Sequence, residues 1–212
     1  MLYRTQDVSV FENGRKLPIV EEFYTLQGEG YHTGKPAYFI RLGGCDIGCS
    51  WCDTKFSWNP AIHPLVAVDE IAERAVQSGC GAVVVTGGEP LIYPLEYLTG
   101  TLQNAGIELY IETSGAYPLS GKWNWLCLSP KKKSPPRREI FPLAHELKVI
   151  IQQVEDFSWA EENAALVKSE CMLYLQPEWS RYDEILPEIV AYVKKNIRWR
   201  ISLQAHKFMK IP

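Results

Sequence analysis

Three cysteines crowd into a glycine-bearing run, Gly43-Gly44-Cys45-Asp46-Ile47-Gly48-Cys49-Ser50-Trp51-Cys52. The spacing Cys-x-x-x-Cys-x-x-Cys puts three thiolates on one loop, able to wrap one face of an iron–sulfur cube. A [4Fe–4S] cluster ordinarily takes four cysteines, so three leave one iron with an open coordination site. Two other readings fit the triplet. Zinc takes four ligands, commonly as paired Cys-x-x-Cys units or with histidine, and His63, the nearest histidine, stands at a spacing untypical of a finger. The thiols can also be buried and unligated, as free cysteine commonly is. Cys80, Cys127 and Cys171 are scattered. The pattern therefore reads as a metal site plus buried thiols, not a disulfide framework.

Other chemistry-bearing residues follow strand-like runs. Thr86-Gly87-Gly88-Glu89-Pro90 comes after Ala82–Val85. Its paired glycines let backbone approach a ligand closely, with N–H and C=O groups for a carboxylate or ammonium; alone, the pattern is a strand-to-helix turn. Glu112-Thr113-Ser114-Gly115 carries hydroxyls that bind a carboxylate or ribose, or cap a turn. Ser129-Pro130-Lys131 and Gln176-Pro177-Glu178 are individually ordinary loops. In Phe23-Tyr24-Thr25-Leu26-Gln27-Gly28-Glu29-Gly30, Gln27 offers a carbonyl and an amide and Glu29 two acceptors. Together they can read the donor–acceptor edge of a pterin or purine, or simply form a polar turn. Arg41 interrupts the apolar run Tyr38–Leu42 and, if buried, needs a partner. A substrate carboxylate suits its fork; a structural ion pair or an outward orientation also satisfies it. Asp53 and Thr54 are hard oxygen ligands suited to Mg²⁺, in a dipeptide common in turns. Lys131–Arg138, the most basic stretch, reads as a solvated loop. The four histidines, His32, His63, His145 and His206, do not cluster, and no Ser-His-Asp or Cys-His signal is present.

A scaffold must bring these positions together. Strands are expected over 17–23, 37–42, 82–86, 107–113, 125–129, 147–151, 171–176 and 199–204, and helices over 68–78, 93–104, 155–168 and 182–195. Their alternation predicts parallel strands with right-handed crossovers. A closed eightfold barrel takes about 250 residues; at 212 the chain should form an open, incomplete α/β barrel as one domain, 1–212. Its chemistry belongs at the carboxyl ends of the strands, where the motifs fall. The net charge of −3 gives no broad attraction to nucleic acid or an anionic membrane. No apolar run nears the ~20 residues that span a bilayer, and Met1–Ser9 lacks a secretion-signal pattern. A cytoplasmic protein is expected.

The triplet spacing resembles the signature of the radical S-adenosylmethionine (SAM) superfamily, in which the open iron chelates the amino and carboxylate groups of SAM. Trp51 matches the aromatic position near the adenine there. Thr86–Pro90 resembles the superfamily's Gly-Gly-Glu-Pro motif, whose backbone and Glu contact the SAM amino group. Within it, Leu26–Gly30, the Arg41 strand, Cys52-Asp53-Thr54, Thr86–Pro90 and the tail Ser202-Leu203-Gln204-Ala205-His206-Lys207 are similar to the 7-carboxy-7-deazaguanine synthase family, from Glu22 to the C-terminus.

The resemblance implies a modified partial TIM barrel of the radical SAM type, a homodimer, Mg²⁺, and a flavodoxin or ferredoxin-type electron donor. It implies a lyase converting 6-carboxy-5,6,7,8-tetrahydropterin to 7-carboxy-7-deazaguanine and ammonia in queuosine and 7-deazapurine biosynthesis, through abstraction at C6 by a 5′-deoxyadenosyl radical and ring contraction. By position, Cys45, Cys49 and Cys52 hold the cluster and Thr54 the Mg²⁺. Trp51, Cys52, Asp53, Gly88, Glu89, Ser129, Pro130, Lys131, Gln176, Pro177, Glu178 and Trp179 lie on SAM. Leu26, Gln27, Gly28, Glu29, Arg41, Thr86 and Pro212 lie on the substrate. The chain lacks the cysteine-loop insertion of some members, so a compact loop is expected; Glu178 and Trp179 fall outside the matching Gln-Pro half of their motif. Two alternatives stay open at this level: an activating enzyme that makes a glycyl radical on a partner protein, and a non-enzymatic zinc-binding module.

Overall fold

β-branched and aromatic runs become strands, and amphipathic stretches cover them as helices. The structure, a computed structural model, describes residues 8–212, so most of the Met1–Ser9 reading lies outside the described residues. In chain order the elements are β1 (Lys16–Leu26), β2 (Pro36–Leu42), β3 (Leu65–Ala67), α1 (Val68–Gln77), β4 (Ala82–Gly87), α2 (Glu96–Asn104), β5 (Glu108–Thr113), β6 (Trp125–Leu128), β7 (Glu146–Ile151), α3 (Asp156–Ala164), β8 (Met172–Pro177), α4 (Tyr182–Lys195), β9 (Trp199–Ile201) and α5 (Ala205–Met209).

The strands form one nine-stranded sheet, ordered β3-β1-β2-β4-β5-β6-β7-β8-β9, whose edge strands do not pair with each other. This is the open α/β barrel expected from the length. From β2 to β9 every neighbouring pair is parallel. The expectation of parallel strands fails at β1, which is antiparallel to both β2 and β3. The reason is the short connection after Leu26. Gln27 N–H donates to Lys35 O and Gly34 N–H to Gln27 O, closing a hairpin; a parallel crossover needs a dozen or more residues. β3 and α5 were not foreseen, because three- and five-residue elements are too short to show a period.

Alternation along each strand sorts the side chains onto two faces. Ile40, Leu42, Val83, Val85, Leu109, Ile111, Leu126, Leu128, Leu147, Val149 and Leu175 are buried in one core beneath the helices. Each contributes roughly 1.5–3 kcal/mol by burial. The opposite, inner face changes character along its length. Its lower part is apolar, with Phe39, Val84 and Tyr110 clustered against Phe23 and Trp125. Above them, toward the carboxyl ends of the strands, the inward positions become Arg41, Thr86, Glu112, Lys148 and Gln176. The sheet thus carries an apolar floor under a polar cavity.

Candidate functional site

A cavity of about 410 Å³ opens at the carboxyl ends of the strands. Its first end is the cysteine loop that leaves β2. Gly44, at φ 104°, lies so close to the Tyr93 hydroxyl that a Cβ would sit 2.5 Å from it, and Tyr93 donates to Gly43 O at 2.7 Å. Gly44 N–H and Cys45 N–H donate to Ser57 O and Trp58 O, folding the loop back on itself. Cys45, Cys49 and Cys52 are free, partly buried, and all line the cavity. Burial pushes the Cys45 thiol up to about 11 against a hydrogen bond from the Ile47 backbone; Glu89 and the other two cysteines push the same way. Burial likewise raises Cys49, opposed by Lys131. Both of these desolvated thiols favour neutrality until a cationic centre binds them.

The glycine pair after β4 presses directly on this loop. A Cβ on Gly87 would meet Leu42 O at 2.2 Å, and one on Gly88 would meet Gly44 O at 2.1 Å. The expectation that these N–H groups are free for a ligand is corrected. Gly88 N–H donates to Leu42 O and Glu89 N–H to Gly44 O, both at 2.9 Å. Glu89 lines the cavity, yet both its oxygens are engaged. Oε1 accepts from Leu91 N–H and the Thr113 hydroxyl, and Oε2 from Ser114 N–H and its hydroxyl. The carboxylate buckles the β4 turn to the end of β5.

The second end of the cavity is built from long-range contacts. Lys148, on β7 and 4% exposed at its side chain, donates to Glu29 at 2.7 Å and to Glu112 on β5 at 2.8 Å. Gln27 Nε2 reaches Glu112 at 3.4 Å, while Gln27 Oε1 accepts from Glu29 N–H. Gln204 Nε2 donates to Glu29 at 2.9 Å. Burial alone would raise the Glu29 carboxyl, but the Lys148 ammonium and the Gln204 amide hold it down at about 2. Burial would lower Lys148, and the acidic groups around it, including Glu112, Glu29 and Glu146, overcome this and keep it charged. One cation between two carboxylates makes a fixed acceptor array at this end of the cavity.

The wall between the two ends carries the remaining residues. Arg41 lines the cavity beside Thr86 in register, and its Nε donates to Glu21 at 2.6 Å, so the structural ion pair weighed for it exists. Thr54 Oγ1 lies 3.5 Å from Cys52 Sγ. Lys131 Nζ donates to Ser129 O and Oγ and stands over the Trp51 ring. Glu178 caps its own turn through Ser180 N–H and hydroxyl. Leu26, Gly28, Asp53, Gln176, Pro177, Trp179 and Pro212 also line the cavity. Pro130 does not. It lines a neighbouring pocket of about 160 Å³ with Lys132, Asp156 and Trp159.

Comparison with known proteins identifies the assembly. Residues 39–123 match the Radical SAM superfamily. Over the whole of both chains, the protein is 53% identical to the 7-carboxy-7-deazaguanine synthase of Flavobacterium psychrophilum. It is 49% identical to that of a Synechocystis species, over 92% of this chain and 93% of the relative. The chain belongs to the 7-carboxy-7-deazaguanine synthase family. The crystal structure of QueE from Escherichia coli superposes with a TM-score of 0.78 at 32% identity, covering 96% of this chain and all of the other.

Membership of this synthase family, within the radical SAM superfamily, implies a [4Fe–4S] cluster and SAM as cofactors. The residues present fit both. Three free, partly buried thiols face one cavity, and the glycine turn Gly87–Gly88 lines it beside them. No described helix is long and apolar enough to cross a membrane. Residue-by-residue reading missed Lys148, the Glu112 carboxylate, Gln204, His206 and Lys207 as cavity residues. For Lys148 a signal was available: like Arg41, it is a charged residue inside an apolar strand run, and burial obliges such a residue to find partners.

Proposed function

We propose that this synthase-family chain converts 6-carboxy-5,6,7,8-tetrahydropterin to 7-carboxy-7-deazaguanine and ammonia, as one unit over 1–212 working in the cytoplasm. The observation that carries the reading is the meeting, in one cavity, of a three-thiol loop with the Glu29–Lys148–Glu112 array. In this reading Cys45, Cys49 and Cys52 hold the cluster, and SAM lies along Trp51–Asp53, Gly88, Glu89, Ser129, Lys131 and Gln176–Trp179. When bound, the cluster and SAM supply the 5′-deoxyadenosyl radical that takes a hydrogen from C6 of the pterin.

The chain's own residues bind, orient and shield. Glu29, kept ionised, accepts from the N–H edge of the pterin, and each carboxylate oxygen has a lone pair left beyond Lys148 and Gln204. Gln27 and the backbone of Leu26 and Gly28 fix that edge. Arg41, bonded to Glu21 through Nε, offers its terminal nitrogens to the substrate carboxylate. Thr54 supplies a hydroxyl oxygen to Mg²⁺, whose other ligands would be water and substrate oxygens. Thr86 and Pro212 complete the substrate wall. Phe23, Phe39, Trp51, Trp58 and Ile150 exclude water from the rest of the cavity, which strengthens each of these electrostatic contacts. A homodimer and a flavodoxin or ferredoxin-type donor belong to the same proposal. The comparisons lend no support to a glycyl-radical activating enzyme or a zinc module.

The test is to reconstitute the protein without oxygen and incubate it with the pterin, SAM and a reductant. A product with the mass of 7-carboxy-7-deazaguanine is expected, together with about four irons per chain. One zinc per chain and no such product would refute the reading.

A further inference from the structure

The C-terminal segment is tied to both ends of the cavity at once. After β9, Ser202 Oγ accepts from Gly30 N–H at 3.0 Å and donates to Gln176 at 2.7 Å. Ala205 N–H donates to Gly28 O at 2.8 Å. The segment therefore lies along the Gln27–Gly30 turn. Lys210, at φ 56°, ends α5 in a left-handed turn, and Ile211 N–H returns to His206 O. That reversal brings Pro212 onto the cavity wall.

Two side chains then cross between the ends. Gln204, 9% exposed, donates Nε2 to Glu29 at 2.9 Å and to Asp53 at 3.3 Å. Lys207 donates to the same Asp53 oxygen at 2.9 Å and to Gln204 Oε1 at 3.0 Å, and stands 4.6 Å over the Trp179 ring. Asp53 follows Cys52 directly, and Glu29 belongs to the polar array. The amide of Gln204 is suited to this position: its NH₂ faces two carboxylates and its oxygen faces an ammonium. A carboxylate or a hydrocarbon there would leave one of these groups opposed or unpaired.

We propose that Gln204 and Lys207 are positioning residues forming a latch. It fastens segment 202–212 over the pterin end of the cavity and sets its height against the cysteine loop through Asp53. The inference rests on the function proposed above and assigns to this tail a task that reading lacks. Asp53 is 53% exposed at its side chain and Lys207 21%, so the ion pair itself adds little to global stability. Its effect is local, on the order of the strap, and should surface in substrate affinity.

Two measurements test this. Hydrogen exchange of the 202–212 peptide, followed by mass spectrometry without substrate, should accelerate about tenfold in Lys207→Met and in Gln204→Glu, and stay within about twofold in Lys207→Arg. Steady-state assays should show the pterin KM rising about tenfold in Lys207→Met with kcat within about threefold, and Lys207→Arg restoring KM. Unchanged exchange in Lys207→Met overturns the latch, as does faster exchange with an unchanged KM. A circular-dichroism melt within a few degrees of the parent identifies a folded variant, and Gln204→Glu serves if Lys207→Met is not one. If the parent protein makes no product from the pterin, the functional reading falls by itself, and the exchange rate alone decides the latch.

Discussion

The two ends of the cavity are made differently. The cysteine end is local: one run from Gly43 to Ser57 folds back on itself, and a single glycine turn braces it. The polar end is assembled from β5, β7, the turn after β1 and the tail after β9, whose members stand as far apart in sequence as Glu29 and Gln204. At the local end, in the function proposed above, each thiol has one task, to hold the cluster. At the distributed end, charges balance one another, so removing a member leaves the others buried and unpaired. The same contrast runs down the inner face. Just below Lys148 sits Glu146, 3% exposed, whose Oε2 accepts from Tyr31 N–H and Trp125 Nε1 while Oε1 has no partner among the described residues. Burial raises this carboxyl to about 7; Lys148 opposes the shift and Glu112 adds to it. Two glutamates sharing one lysine are thus displaced in opposite directions, Glu29 because Lys148 and Gln204 bond it directly, Glu146 because burial outweighs a cation bonded to others.

Breaking the local end should have the largest effect. Cys49→Ala is expected to abolish product and reduce bound iron, by mass spectrometry and iron analysis, with the fold retained. Lys148→Met comes next, since it leaves Glu29 and Glu112 without their cation. A loss of about 3–5 kcal/mol is expected in denaturant unfolding, with pterin affinity falling by roughly two orders of magnitude; unchanged unfolding would remove the array from the stabilising interactions. The opposed carboxyl shifts sharpen the comparison further. Glu29, lowered from 4.5 to about 2, contributes stability above pH 4.5 that is lost as pH falls toward 2. Glu146, raised from 4.5 to about 7, contributes below pH 4.5 and loses that contribution as pH rises through 7. Glu146→Gln should therefore flatten the decline in stability between pH 4.5 and about 7, a change of about 1–3 kcal/mol in unfolding free energy. A variant that keeps the parent's slope would show that another group titrates. Least affected should be Glu21→Gln, which unpairs Arg41 at a partly exposed site. Its cost should stay below about 1 kcal/mol, with pterin KM changing by less than about threefold.

Much of this molecule could be read along the chain. The cysteine loop, the glycine turn and the strand–helix order depend on spacing and periodicity, which are properties of adjacent residues, and they appear in the structure where expected. The direction of β1 was not legible, because parallel and antiparallel strands share one alternation, and the hairpin bonds of Gln27 decided between them. That Glu89 would be held by Thr113 and Ser114 while lining the cavity was likewise not legible, because those partners come from a separate strand end.

By itself the amino-acid order determined that three thiols share a loop, that polar groups close the strands, and that the sheet is too short to seal into a barrel. Tertiary structure alone decided which charges meet: that Lys148 stands between Glu29 and Glu112, and that Gln204 reaches from Glu29 to Asp53. The reason is physical. Covalent spacing carries local geometry directly, whereas the pairing of buried charges depends on the register and curvature of a whole sheet, in which strands distant in sequence bring their inward residues to a common depth.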